Sequence, residues 1–122
     1  RCPLEYGLTI FGGKSGEYPQ KLYKALMNSQ TVLTVWDDAR LVGLIRVLDD
    51  SEMLAQIHYV LVHPEYQGQG IAGRMVEYIK EKYKNFMYLE LMPEDKNNVP
   101  FYEKHGFHVM ENGAAMQICN IN

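Results

Sequence analysis

Residues 60–73 read Val-Leu-Val-His-Pro-Glu-Tyr-Gln-Gly-Gln-Gly-Ile-Ala-Gly. A short apolar run gives way to a proline, and glycines at 68, 70 and 73 then space a turn that runs into a helical pattern. A turn that opens a helix leaves several backbone N–H groups without intrahelical partners. The peptide dipoles point their positive ends the same way, so such a turn is built to hold a phosphate. Glycine at 68 and 70 lets the backbone approach an anion with no Cβ in the way.

Outward from this turn the pattern alternates between strand and helix. Ala55–Val62 is a β-rich run leading into it, and Thr31–Trp36 and Leu41–Leu48 are two more, joined as a hairpin by Asp37-Asp38-Ala39-Arg40. Pro19 opens a helix through Met27 with Leu22, Tyr23 and Leu26 on one face. Beyond the turn, Ala72, Val76, Ile79 and Tyr83 recur at helical spacing, with Glu77, Lys80, Glu81, Lys82 and Lys84 mostly between them. Phe86–Met92 reads as a strand stopped by Pro93, and Asn97–His105 as a short helix ended by Gly106 at a left-handed cap. Phe107–Met110 and Ala115–Ile121 read as two further strands around Glu111-Asn112-Gly113, and Tyr6–Phe11 as a first strand before the loop Gly12–Gly16. The order predicts an α/β fold with a sheet of mixed direction.

Composition narrows the function classes. A chain of 122 residues with 47% hydrophobic content makes one compact domain. Its formal net charge is −3, with both signs mixed along the chain, so no basic stripe argues for nucleic acid. No apolar run approaches the roughly 18–20 residues that span a bilayer, and the N-terminus lacks a basic-then-apolar signal layout. A soluble, cytoplasmic protein without a membrane partner is expected. Cys2 and Cys119 stand near opposite ends in no metal or redox spacing and read as reduced thiols. The sequence begins at Arg1 without a methionine, which leaves open the removal of N-terminal residues.

Read as Gln67-x-x-Gly70-x-Ala72, the turn resembles the pyrophosphate-binding signature of the GNAT superfamily, the acetyl-CoA-dependent N-acetyltransferases. That signature is Gln or Arg, two residues, Gly, one residue, then Gly or Ala. Downstream, Asn-Val-Pro-Phe-Tyr-Glu-Lys-His-Gly-Phe (98–107) is similar to the superfamily's Tyr-x-Lys-x-Gly-Phe element, in the same order. The resemblance spans roughly residues 31–110. It implies a single acetyltransferase domain over 1–122 with a shortened N-terminal strand and helix region. It also implies a GNAT-like, mostly antiparallel central sheet with flanking helices, in which strands 55–62 and 86–92 run parallel and splay apart. The pantetheine arm of acetyl-CoA would enter the wedge and pair with the backbone of Val60 and Val62. Gln67 and the amides of Gly68, Gln69, Gly70, Ile71, Ala72 and Gly73 would hold the pyrophosphate.

The same resemblance makes Tyr102 the general acid that protonates the departing thiolate after an amine attacks the thioester. Some members carry a glutamate base ten residues before the motif glutamine, where this chain has Ile57. His58 is the base expected in its place, since imidazole titrates near pH 6.5, with Tyr59 and Glu90 as alternatives. Strict alternation points His58 and Ile57 to opposite faces, so only a bulge would bring His58 into the cleft. Members often place an asparagine seven residues before the tyrosine. Here that residue is Asp95, with Asn97 and Asn98 out of register, so which of the three, if any, contacts the coenzyme stays open, with Asn98 the candidate. His63, His105 and His108 lack partners at ligand spacing, so no metal is expected.

The reading is therefore a transferase moving acetyl from acetyl-CoA to a primary amine, on a small molecule or a protein. The shortened N-terminus leaves Phe11, Leu22 and Met27 with little chain to cover them, which suggests a homodimer. Rival readings fit less well. Gly13-Lys14-Ser15 imitates the end of a P-loop, but Leu8 stands where its first glycine belongs. Gly68, Gly70 and Gly73 fit a dinucleotide fingerprint with Glu90 as ribose acid, but the unit starts after a hairpin. A non-catalytic acetyl-CoA sensor of the same fold is the alternative.

Overall fold

A computed structural model describes residues 18–120, which form two compact units, one ending at Leu91 and the other beginning at Met92. The expected strand Tyr6–Phe11 and loop Gly12–Gly16 lie outside the described residues.

The first unit runs α1 (Pro19–Met27), β1 (Thr31–Asp37), β2 (Arg40–Asp49), β3 (Leu54–Val62), a 3-10 turn (Pro64–Tyr66), α2 (Ile71–Lys82) and β4 (Tyr88–Leu91). Pro19 supplies a helical φ at the start of α1, where an N–H has no intrahelical acceptor anyway. Leu22 and Leu26 then fall on one face and bury against Leu41 and Leu44, with Tyr23, Val32, Tyr59 and Leu61 packed around them. The hairpin turns on Asp38 and Ala39, with Asp38 at φ 53°, a left-handed conformation that aspartate tolerates better than most residues.

The sheet order is β1-β2-β3-β4, with the first two pairings antiparallel and β3-β4 parallel. Central β2 is covered on both faces, which is why Leu41–Ile45 is an unbroken buried run rather than an alternating one. On the face opposite α1, Ile45, Val47, Ala55 and Ile57 are buried, as are Met75, Val76 and Ile79 of α2. Gly43 sits beneath the start of that helix: a Cβ on it would lie 3.1 Å from Ile71 Cγ2 and 3.2 Å from Met75 Sδ. At the other end, the buried Tyr83 hydroxyl donates to Asp49 Oδ2 (2.6 Å) and lies 2.7 Å from Thr31 Oγ1. Its own proton goes to the carboxylate, so Thr31 donates to Tyr83. The helix is thus fixed to the sheet at both ends.

Strand β3 is irregular along both of its edges. Opposite β2, the register runs from Gly43↔Val62 to Arg46↔Tyr59 and resumes at Val47↔Ile57, so His58 is the extra residue of a β-bulge. Opposite β4, pairing runs from Leu54↔Tyr88 only to Ile57↔Leu91, although β3 continues to Val62. β4 is shorter than the expected 86–92.

In the second unit, the expected helix 97–105 is two pieces, a 3-10 turn Lys96–Asn98 and α3 (Val99–Lys104). Pro100 explains the break, because its missing N–H and its ring fit only a first helical turn. After α3, Gly106 takes φ 94°, its N–H bonds to Glu103 O (3.0 Å), and the Phe107 N–H bonds to Tyr102 O (3.1 Å). This is a Schellman motif, and the Tyr102 and Phe107 rings meet edge-on at 5.9 Å across it. The strands expected at 107–110 and 115–121 do not form within the described residues, where 107–120 carry no ladder. Their β-prone residues stay in water, Met116 at 91% and Ile118 at 89% exposure, because apolar patterning makes a strand only where an edge pairs with it.

Candidate functional site

The stretch of β3 beyond Ile57, which β4 does not pair, has a defined chemistry. The His63 N–H donates to Val42 O at 2.8 Å, so residues 63 and 61 turn their backbone groups toward β2. By the alternation of an antiparallel ladder, Val62 and Val60 turn theirs the other way, toward the edge that β4 leaves unpaired beyond Ile57. Their N–H and C=O groups are those an extended chain carrying amides would use. The Gln67 Nε2 reaches Val62 O at 3.4 Å, tying the motif glutamine back to the strand.

At the end of that edge lies the turn. His63 caps Pro64–Tyr66 with its imidazole, then Gly68 (φ 83°) and Gly70 (φ 82°) take left-handed conformations, and Gly70 is the N-cap of α2. The first bond of the turn into α2 is Arg74 N–H to Gly70 O (3.1 Å), leaving the N–H groups of Ile71, Ala72 and Gly73 ahead of it. No side chain caps this end, and the first turn holds no acidic residue to offset the helix dipole. A Cβ built on Gly68 or Gly70 would meet nothing within 4 Å, so the turn is open on that side. An uncapped, uncompensated helix start beside an open turn fits the pyrophosphate of a coenzyme.

The bulge places His58 and Tyr59 together opposite Arg46. Arg46 Nη1 donates to His58 Nδ1 (2.5 Å), its Nε donates to Ser29 Oγ (2.8 Å), and its guanidinium lies 5.9 Å from the Tyr59 ring centroid. Burial lowers the pKa of Arg46, though a guanidinium stays charged. Ile57 is 3% exposed and pairs with Val47 on the α2 face, so the bulge leaves His58 on the α1 face. Arg46 is a functional candidate that no motif singles out, although it is the one charged residue inside the run 41–48. Glu90 is exposed on β4, beside Gln56.

In the second unit, Tyr102 is half-buried on α3, and its hydroxyl has no hydrogen-bond partner among the described residues. Burial, helped by the Glu94 carboxylate, raises its pKa above the usual tyrosine value, so it keeps its proton at neutral pH. Asp95 accepts from the Asn97 N–H (2.8 Å) as a local cap, and Asn98 is exposed at the end of the 3-10 turn. Among the described residues, no group of three or more His, Cys, Asp or Glu could hold a metal ion. No helix among them is long and apolar enough to cross a membrane.

A mixed sheet whose parallel pair parts beside an uncapped helix start is the architecture of a class of acetyltransferases. The acetyltransferase (GNAT) family model matches residues 7–107, and the chain belongs to that family, whose members are acyltransferases. It is 28% identical over 99 residues to an uncharacterized N-acetyltransferase of Prochlorococcus marinus, covering 77% of this chain and 55% of that protein. With another from Bacillus methanolicus it shares 34% identity over 73 residues, 59% of this chain and 58% of that one. The chain thus spans little more than half the length of these curated relatives. Among solved structures, a probable acetyltransferase of unknown function from meticillin-resistant Staphylococcus aureus aligns with TM-score 0.83 and 30% identity over 98% of this chain and 93% of that one. A GNAT acetyltransferase of Elizabethkingia anophelis with acetyl-CoA bound shares the fold at 20% identity and TM-score 0.62, over 75% of this chain and 62% of its own.

Proposed function

We propose that the chain is one N-acetyltransferase domain that moves the acetyl group of acetyl-CoA directly to a primary amine. The observation that carries this reading is the pairing of the free β3 edge at Val60 and Val62 with the open, uncapped turn at Gly68–Gly73. Amide pairing along the edge would hold the pantetheine arm, and the turn's N–H groups, with Gln67 and Gln69, the pyrophosphate. Acetyl-CoA supplies the activated thioester. Asn98 is the further coenzyme contact, and Tyr102, protonated at neutral pH, is the acid for the departing thiolate.

His58 is the base candidate. With Arg46 on Nδ1, the neutral ring carries its proton on Nε2, so His58 takes a proton only after Arg46 yields. The sensor alternative gains from this, and from the buried Ile57 where some members place a glutamate. Acetyl-CoA titrated calorimetrically, with CoA release followed over a panel of small amines and peptide amines, tests both readings. Binding with turnover supports the enzyme, binding without it the sensor, and no binding sinks both. A cytoplasmic homodimer belongs to the same proposal. Leu22 is covered within its own chain and does not argue for a partner, whereas Met27 remains 55% exposed and Phe11 lies outside the described residues. Sedimentation showing a monomer at tens of micromolar, where about −8 kcal/mol of association would give dimer, would remove it.

A further inference from the structure

We infer that His63 is a positioning residue for the phosphate turn, and that its neutral imidazole makes coenzyme binding sensitive to protons. This rests on the acetyl-CoA reading above. His63 is 6% exposed and held three ways: its N–H bonds to Val42 O (2.8 Å), its C=O accepts from the Tyr66 N–H (2.8 Å), and its Nδ1 accepts from the Glu65 N–H (3.1 Å). The last bond makes the side chain the cap of the 3-10 turn through which β3 departs toward Gly68 and Gly70. It also fixes the tautomer, because Nδ1 must keep its lone pair and Nε2 must carry the hydrogen.

Adding a proton places a second N–H against the Glu65 N–H, so the ring becomes charged only with the cap undone. The charged and titratable groups facing it are few among the described residues. Glu65 Oε2 lies 3.9 Å from Nε2, and the Tyr66 ring stands edge-on at 5.6 Å. Arg40 bridges to that carboxylate at 3.1 Å, and Asp37 takes the Tyr66 hydroxyl. The Glu65 side chain is 65% exposed and already shared with Arg40, so it offers a charged ring little compensation. Opening the cap frees the chain that leads into the anion-binding glycines, and coenzyme bound there opposes the opening. By linkage, protonation of the ring and coenzyme binding then oppose each other, so affinity falls on acidification.

The test compares wild type with His63→Asn and His63→Ala, because an asparagine carbonyl caps as Nδ1 does but takes up no proton. Acetyl-CoA affinity, measured by calorimetry at pH 7.5 and 5.5, is expected to fall about tenfold in wild type and less than about twofold in His63→Asn. His63→Ala should bind about fivefold more weakly at pH 7.5, with no extra loss at 5.5. The coenzyme's own phosphate titration is common to all three. A slope in His63→Asn equal to wild type's would overturn the inference. A second readout needs no coenzyme: exchange of the Glu65 amide, by NMR, should lose protection on acidification in wild type but not in His63→Asn. Should wild type bind no acetyl-CoA, the functional proposal falls while this readout still decides the role of His63, and equal protection in both proteins refutes it.

Discussion

Arg46 Nη1 donates to His58 Nδ1 across β2 and β3, at the point where the bulge gives Arg46 two opposite neighbours in place of one. The contact decides which ring nitrogen of His58 is bare. If His58 is the base, His58→Gln should lower kcat about 10²-fold or more and leave the coenzyme Kd unchanged. Arg46→Gln, whose carbonyl accepts an Nδ1 proton, should bare Nε2 and hold or raise kcat. Steady-state kinetics at neutral pH reads both, and wild-type kcat in His58→Gln ends the base role.

Gly70 holds φ 82° with open space where a Cβ would point. Gly70→Ala should therefore fold, at a cost of about 1–2 kcal/mol for the left-handed backbone, and bind coenzyme more weakly. Gly70→Asp carries a similar backbone cost and adds a negative charge at the anion site. It should lose binding altogether while thermal unfolding stays close to that of Gly70→Ala. Calorimetry with acetyl-CoA separates the two variants, and equal affinities would remove the phosphate assignment from this turn.

Gly43 works from beneath. A side chain there would press on Ile71, Met75 and the Val35 Cβ at 3.1–3.2 Å, lifting the first turn of α2 from the sheet. Gly43→Val is expected to cost about 1–3 kcal/mol in urea unfolding and to weaken coenzyme binding beyond what stability explains. An unchanged Kd in a folded Gly43→Val would mean that the helix start is not positioned by its packing on β2.

How far these features can be read from sequence varies with how local their causes are. The turn is legible because glycine at 68 and 70 and the helical pattern after it lie in one stretch, and the same holds for the cap at Gly106. The bulge at His58 is not, since register depends on a strand distant in sequence. Arg46 and Gly43 stay hidden for the same reason: each acts through a neighbour that only folding supplies. The His63 cap is local, two residues from Glu65, but histidine is not among the residue types that mark a cap in sequence. The tail shows the opposite error: alternation at 107–110 and 115–121 reads as strand, yet among the described residues 107–120 carry no ladder.

Tyr83 links α2 to Thr31 and Asp49, and burial, then Asp49, raises its pKa. A raised folded pKa means that this stability is whole below the unfolded value near 10 and is lost as pH climbs through the folded one. Tyr83→Phe should cost about 1–2 kcal/mol at pH 7, with part of the wild type's alkaline decline above about pH 10 removed. Unfolding midpoints between pH 7 and 11 test it; parallel curves would exclude Tyr83 as the titrating group.

Tyr102 is the last and most direct test. Its ring packs on Phe101 and Phe107 and its backbone oxygen anchors the Schellman turn, so Tyr102→Phe keeps the packing and deletes only the hydroxyl. If that hydroxyl protonates the leaving thiolate, kcat should fall about 10²–10⁴-fold with coenzyme affinity nearly unchanged. The raised pKa fixes the sign of the pH dependence: the acid form persists past the usual tyrosine range, so any loss of activity from its ionisation comes above about pH 10. A basic limb from Tyr102 at neutral pH is ruled out by that direction. Should Tyr102→Phe turn over at the wild-type rate on an established amine, the tyrosine is a packing residue. The Tyr-x-x-x-Gly-Phe spacing then has a sufficient cause in the helix cap alone, since Gly106 supplies the left-handed turn and Phe107 the ring that closes it.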